Sequence, residues 1–392
     1  MGRGKLGETP GEALAIAAYK IAKREGLHAL TARRLAAEVG GSSSAVTYHY
    51  GSMARMRREV AARAEAELSE WRSAWRLASP GLGSVTPGGF VLATVAEMAG
   101  PRRGLVVLAA ELANSNDFPE FLHREREAAE DWVAHLHRLG VPPGAAVTWT
   151  DFLYGATPLA CIDDNRASLL SWLPLLTRRL EDRLAGRPSF WPDVFPFPPF
   201  PESLPEPPAA AGAQRILQAT IEVLGERGAE RLTHRDVATR AGLSVAASTY
   251  FFETKSDMII AAVREISRRA AGRMREHIGD RATSGTVTAP GGTLHAETRA
   301  TLMLYSSVVR NPELRKVGEV LRDLRGPLAL ERLRLEGADA DRVDGVLWAT
   351  LMQGAMHPFR IPAHDLEAAL EERANLHRTN LFGVLGAGRQ VD

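Results

Sequence analysis

At 392 residues and 45% apolar side chains, the chain is long enough for two or more domains with proper cores and has the make-up of an ordinary water-soluble protein. One cysteine, Cys161, excludes a disulfide framework and a cysteine-based zinc cluster, and no run of eighteen apolar residues offers a membrane span. The formal net charge is only +1, yet residues 1–60 hold ten Lys/Arg against five Asp/Glu, a local excess that suits a polyanionic partner.

The first residues, MGRGKLGETPGEALAIAAYK, lack the apolar core and cleavage site of a secretory signal, so a cytoplasmic location is expected. Arg3 and Lys5 either form a basic arm for a minor groove or belong to a disordered tail. Thr9-Pro10-Gly11-Glu12 reads as a capping box with proline at the first helical position, and Leu14, Ala17, Ala18, Ile21 and Ala22 mark one face of the helix that follows. Gly26 ends it. Thr31 caps a second helix with Leu35, Ala36 and Val39 inward, and Gly40-Gly41 makes the turn to a short third helix opening at Ser42.

This passage returns. LTARRLAAEVGGSSSAVTYHY, Leu30 to Tyr50, comes back as LTHRDVATRAGLSVAASTYFF, Leu232 to Phe252, and from Gly26 to Tyr48 ten of 23 positions are identical at a constant spacing of 202 residues. The second copy carries Ile216, Ala219, Val223 and Leu224, then Gly228, Thr233 with Asp236 as a capping pair, Val237, Ala238, Gly242 and Ser244. Alternating strand patterns are absent from the sequence. Two short helices joined by a glycine turn, behind a stabilising first helix, read as a helix-turn-helix, which sets its last helix in a DNA major groove.

On these residues both copies resemble the amino-terminal DNA-binding domain of TetR-type transcriptional regulators: an apolar first helix, Gly, Leu-Thr, a short helix with Ala, Gly-x-Ser, and an aromatic run. That run is Thr47-Tyr48-His49-Tyr50 in copy one and Thr249-Tyr250-Phe251-Phe252 in copy two. The resemblance covers about 50 residues per copy. It implies double-stranded DNA as partner. It also implies a phosphate contact from Lys255, where copy one departs with Met53. Arg33 and Arg235, near the start of each second helix, are candidates for a guanine or a phosphate. Ser43, Ser44 and Ala45 against Val245, Ala246 and Ala247 are candidates for base edges, joined by Val46, His49, Ser248 and Phe251. Thr47, Tyr48, Thr249 and Tyr250 offer hydroxyls to phosphates, although both tyrosines have packing as an alternative.

The duplication extends further. Gly83 to Gly89 is echoed by Gly285 to Gly292, Pro119-Glu120-Phe121 by Pro312-Glu313-Leu314, and Leu153-Tyr154-Gly155 by Met352-Gln353-Gly354, with shifts that imply insertions and deletions. Between the halves, Arg187 to Pro208 holds nine prolines, which forbid helix and favour an extended strap. The expected organisation is all-α: a head at 1–60, a body at 61–186, a linker at 187–212, a second head at 213–265 and a second body at 266–392. By the resemblance, each body binds a small effector and pairs with the other through four helices. The candidates for those are Ala145–Cys161 with Leu169–Leu184, and Arg342–Met356 with Leu366–Leu381, whose apolar residues serve equally as plain core.

His123, Trp149, Tyr154, Trp348, Gln353 and His357 are the candidates to line an effector pocket, with packing or exposure as the competing fate of each. His135 and His137, two apart on a helix, diverge and do not suit a shared metal. Cys161, in an apolar helix, suits an inert thiol, and no cofactor or catalytic set is expected. The expected function is a repressor released by a small effector. It would work either as an intramolecular pseudo-dimer on an asymmetric operator or as a homodimer of whole chains. The alternatives are a regulator-derived interaction protein without operator binding, and a helical enzyme.

Overall fold

The structure, a computed structural model, describes residues 9–78, 86–115, 117–162, 166–188, 206, 208–281, 291–358, 360 and 366–383. Arg3, Lys5, the Gly83 and Gly285 echoes up to Val85 and Pro290, and nearly all of the proline strap lie outside them.

Local signals set the first helices where the sequence puts them. Thr9 Oγ1 accepts the Glu12 N–H at 3.2 Å and Pro10 opens α1 (Pro10–Glu25). Thr31 Oγ1 accepts the Arg34 N–H at 3.1 Å at the start of α2 (Ala32–Val39), and Gly40 turns the chain at φ 66°, a conformation that disfavours any side chain, into α3 (Ser43–Tyr50). Then α4 (Met53–Ala78) runs out of the head into the body, followed by α5 (Pro87–Ala99), α6 (Arg103–Ala113), α7 (Pro119–Arg138), α8 (Pro143–Ile162) and α9 (Arg166–Leu184).

The second half opens on three helices set as in the first head and continues into a long helix. Its helices are α10 (Ala211–Arg227), α11 (His234–Ala241), α12 (Val245–Phe251), α13 (Lys255–Arg281), α14 (Gly291–Arg310), α15 (Arg315–Asp323), α16 (Pro327–Leu335), α17 (Arg342–Ala355) and α18 (Leu366–Phe382). Thr233 caps α11 through the Asp236 N–H at 3.1 Å, and Gly242 turns at φ 64°. Among the described residues the secondary structure is helical throughout, and the fold class is all-α. The expected boundaries at 60/61 and 265/266 fall inside α4 and α13, so each head joins its body by an unbroken helix.

Apolar burial holds each head together. Leu14, Ala18 and Ile21 of α1 close on Leu35, Val46, Met56 and Val60, while Ile216, Leu217 and Leu224 of α10 close on Val237, Met258 and Ile259. Each such fully buried Leu, Ile, Val or Met side chain contributes roughly 1.5–3 kcal/mol. In the first body Trp71, Phe90 and Trp132 pack ring against ring beside a buried two-pronged ion pair, Arg72 Nη1 and Nη2 to Glu125 at 2.8 and 2.9 Å.

The two halves meet through α8, α9, α17 and α18, which pack on one another as a four-helix group, and through α14 lying on α6 and α8. The helices expected to form this group span the expected segments within three residues. At the crossing of α8 and α17 a Cβ on Gly155 would fall 1.8 Å from the Thr350 carbonyl oxygen, and one on Gly354 would fall 1.7 Å from that of Asp151. Charges pair reciprocally across the same contact. Asp151 of the first half accepts Arg360 Nε and Arg373 Nη1, both at 2.8 Å, with His377 Nε2 at 3.0 Å. Asp344 of the second half accepts Arg179 Nη1 at 2.9 Å and Arg183 Nε at 3.0 Å.

Candidate nucleic-acid interface

The third helices carry their side chains on two faces, and the hydrophobic core decides which residues are left for a ligand. Val46 is 2% exposed and its counterpart Ser248 is fully buried, its hydroxyl 2.9 Å from His234 Nδ1. Both are expected among the base readers; they turn inward instead, Val46 into the apolar core against α1 and Ser248 onto His234 of α11. Phe251 is also corrected: it folds half-buried under the head, its ring so near Gly212 that a Cβ there would fall 2.9 Å away. Ala247 is half-buried, and the side chain of Ala45 lies outside the described residues.

The outward face is then Ser43, Ser44, Thr47, Tyr48 and His49 in copy one, and Val245, Ala246, Thr249 and Tyr250 in copy two. Tyr48 is 85% exposed and Tyr250 83%, which removes packing as their role. Each meets its neighbour edge to face at 5.2 Å, Tyr48 with His49 and Tyr250 with Phe251. Thr47 Oγ1 donates back to Ser43 O at 3.4 Å and Thr249 Oγ1 to Ala246 O at 3.1 Å, leaving each oxygen free to accept.

Cations around these helices separate into paired and unpaired. Arg34 is held by Glu25 and Glu38 at 2.8 and 2.7 Å, and Arg240 by Glu226 and Glu222 at 2.7 and 3.1 Å. Arg33 and Arg235 are exposed and make no ion pair among the described residues. Lys255 departs from expectation: its Nζ turns back to the Glu230 carbonyl at 3.4 Å, and burial lowers its pKa.

Copy one places its cation differently. Arg55 stands exposed on the first turn of α4, its backbone N–H capped by Ser52 Oγ at 3.2 Å, whereas the equivalent Asp257 in copy two caps Thr254. Motif matching stops at Met53 and passes over Arg55 and Arg58; the signal for them was the run Arg55-Met56-Arg57-Arg58, read only as part of a bulk charge excess.

The six expected pocket residues scatter. His123 is exposed on α7 beside Glu127 and lines no cavity, a correction that follows from the polar face of that amphipathic helix. Trp149 packs against Phe152, and Trp348 against the ring of His377, as core. Tyr154 stacks on His357 at 5.2 Å, and Gln353 accepts from Arg325. His357 does line a crevice, partly open to solvent, whose other walls are Val107 and Ala110 of α6 with Asn114 just past its end, Pro158 and Cys161 of α8, and Leu302, Tyr305, Ser306 and Val309 of α14. Burial and Arg360 lower the His357 pKa to about 3, and burial pushes the Cys161 thiol up to about 12, so both are neutral at ordinary pH. The wall residues missed are Asn114 and those on α6, α8 and α14, none of which stands in a motif. Among the described residues no cluster of His, Cys, Asp or Glu has the form of a metal site, and no helix is long and apolar enough to cross a membrane.

Residues 216–262 match the family model of bacterial regulatory proteins of the tetR family. The match runs from within α10 into α13 and so covers the second head, turn glycine and exposed Tyr250 included. No curated protein matches the chain. A DNA-binding domain similar to those of tetR-type regulators therefore stands at the second head, and the first head repeats its threonine cap, its glycine turn and its exposed tyrosine 202 residues earlier.

Proposed function

We propose that this protein is a transcriptional regulator that reads DNA with two unlike heads carried on one polypeptide, an intramolecular counterpart of a two-subunit repressor. The observation that carries the reading is the repeated head, with its caps and bared tyrosine, on two bodies joined through α8, α9, α17 and α18. A small effector releases it by binding better to the arrangement in which the heads are misplaced for DNA, since only a difference in affinity shifts such an equilibrium.

A homodimer presents identical reading helices and so favours a palindrome. Here Ser43, Ser44 and His49 can exchange hydrogen bonds with base edges, while Val245 and Ala246 suit thymine methyl groups. The operator is therefore asymmetric, with the half-site under copy two richer in A·T pairs.

Selection from a random DNA library, followed by footprinting and sedimentation of the complex, tests this. The expected result is two unlike half-sites protected by one chain mass. A perfect palindrome, or dimers of the whole chain carrying four heads, would overturn it.

A further inference from the structure

Among the described residues, five arginines have their charged ends buried, and four of these meet a carboxylate. Arg72 has Glu125, Arg179 has Asp341 and Asp344, Arg310 has Glu111, and Arg360 has Asp151 and Glu130. Arg325 is the exception. It is 7% exposed, and its guanidinium donates only to neutral oxygens: Tyr305 Oη at 2.5 Å, Gln353 Oε1, and Thr350 Oγ1 at 3.4 Å. Among the described residues no carboxylate comes within ion-pair reach, and both Arg325 Nε and Gln353 Nε2 are buried without an acceptor. A buried cation left this way is costly, and an anion is what offsets it.

Tyr305 connects this group to the crevice, for its hydroxyl takes the Arg325 hydrogen bond while its side chain forms part of the crevice wall. The rest of that wall is mainly aliphatic and comes from both halves. We propose that the crevice binds one small organic carboxylate per chain, its apolar body against Val107, Ala110, Leu302 and Val309 and its carboxylate at Tyr305 and Arg325. The planar guanidinium suits two-pronged recognition of such a group. The neutral His357 beside it adds no competing charge.

This names the effector class of the regulator proposed above and rests on that reading. It also gives the effector a lever. On the turns of α14 next to the crevice, Ser307 donates to Glu230 at 2.8 Å beside Gly228, the turn that ends α10 in the second head. Arg310 holds Glu111 and donates to the Lys23 carbonyl at 2.9 Å, while Glu111 in turn accepts the Leu27 N–H at 2.9 Å in the turn that follows α1 in the first head. A ligand that displaces α14 by even a fraction of a turn therefore acts on both heads.

The test is calorimetric titration of the full chain with straight-chain carboxylates of four to ten carbons and benzoate, each against the alcohol and amine of the same skeleton. At least one carboxylate is expected to bind with one site per chain and about ten-fold or more above its alcohol, a difference of about 1.4 kcal/mol. Arg325→Met should erase that preference. It should also raise the melting temperature of the ligand-free protein, because it removes an unmatched charge, whereas Arg72→Met should lower it. Leu302→Trp should block binding with Arg325 still in place. Equal affinity for carboxylate and alcohol, no binding of any carboxylate, two sites per chain, or an Arg325→Met protein as destabilised as Arg72→Met would each overturn the proposal. If the operator is bound but no carboxylate is, the effector class alone falls; if no DNA is selected, the regulator reading falls whatever the titrations give.

Discussion

Gly155 of α8 and Gly354 of α17 lie opposite each other where the halves cross, each occupying the space into which the other helix pushes a carbonyl, Thr350 O and Asp151 O respectively. No side chain can yield there, because both obstructing atoms are backbone. Gly155→Ala or Gly354→Ala must force the helices apart, and each is expected to cost at least about 3 kcal/mol. Denaturant unfolding of the two single variants measures it; a cost near zero would show that the crossing is looser than the fold implies.

Asp151 is the second point where the halves depend on each other. Burial alone would raise its carboxyl, but the His377 contact and the charges of Arg360 and Arg373 outweigh burial and hold its pKa below the usual carboxylate range. Asp151→Asn leaves two arginines facing a neutral amide and is expected to cost about 3–5 kcal/mol. A depressed carboxylate stabilises the fold above its unfolded pKa and loses that contribution as pH falls through the lower folded value. The wild-type advantage over Asp151→Asn should therefore persist at pH 5 and shrink only in stronger acid. Urea titrations across that range give the comparison.

His357 imposes a different acid limit. Its folded pKa, lowered to about 3, lies below the unfolded value of about 6.5, so the unfolded chain takes up the proton first. Stability is then complete above about pH 6.5 and falls as pH drops towards 3, by up to about 1.4 kcal/mol per unit. His28 and His135, whose pKa values are also lowered by burial, act in the same direction. His357→Gln should flatten the slope between pH 6.5 and 4.5 by about one proton's share. An unchanged slope would mean that His357 takes up its proton in the folded protein.

For DNA, Arg55 is expected to carry the phosphate contact that Met53 cannot. Arg55→Ala should flatten the slope of log affinity against log salt by about one unit, and Arg33→Ala or Arg235→Ala by a similar amount if each touches phosphate. Lys255→Ala should change it less, since its ammonium is turned towards Glu230. Affinities at several salt concentrations on the selected operator decide between them.

Local rules made the heads legible in the sequence. Thr31, Gly40, Thr233 and Gly242 each act within a few residues, so their caps and turns could be read without knowing anything distant. The four paired helices were legible for a related reason, since an amphipathic or largely apolar segment of fifteen or more residues leaves few fates besides helix packing. What escaped was whatever depends on contact across the chain. Val46 and Ser248 looked like reading residues because their inward direction depends on α1 and α10. Arg325 drew no notice because a lone arginine becomes unusual only once its surroundings lack an anion. Lys255 matched its motif, yet the carbonyl it turns to comes from a neighbouring loop.

The joining of α8 and α9 to α17 and α18 within one chain has a consequence for dosage. Separate subunits must find each other, so the active fraction of a scarce two-subunit regulator falls with dilution. On the function proposed above, the chain itself supplies the partner at a fixed, high effective concentration. Occupancy of the target site is then expected to rise in direct proportion to the number of molecules, without the quadratic lag of an assembling dimer, and a cell holding only a few copies would lose none of them to dissociation.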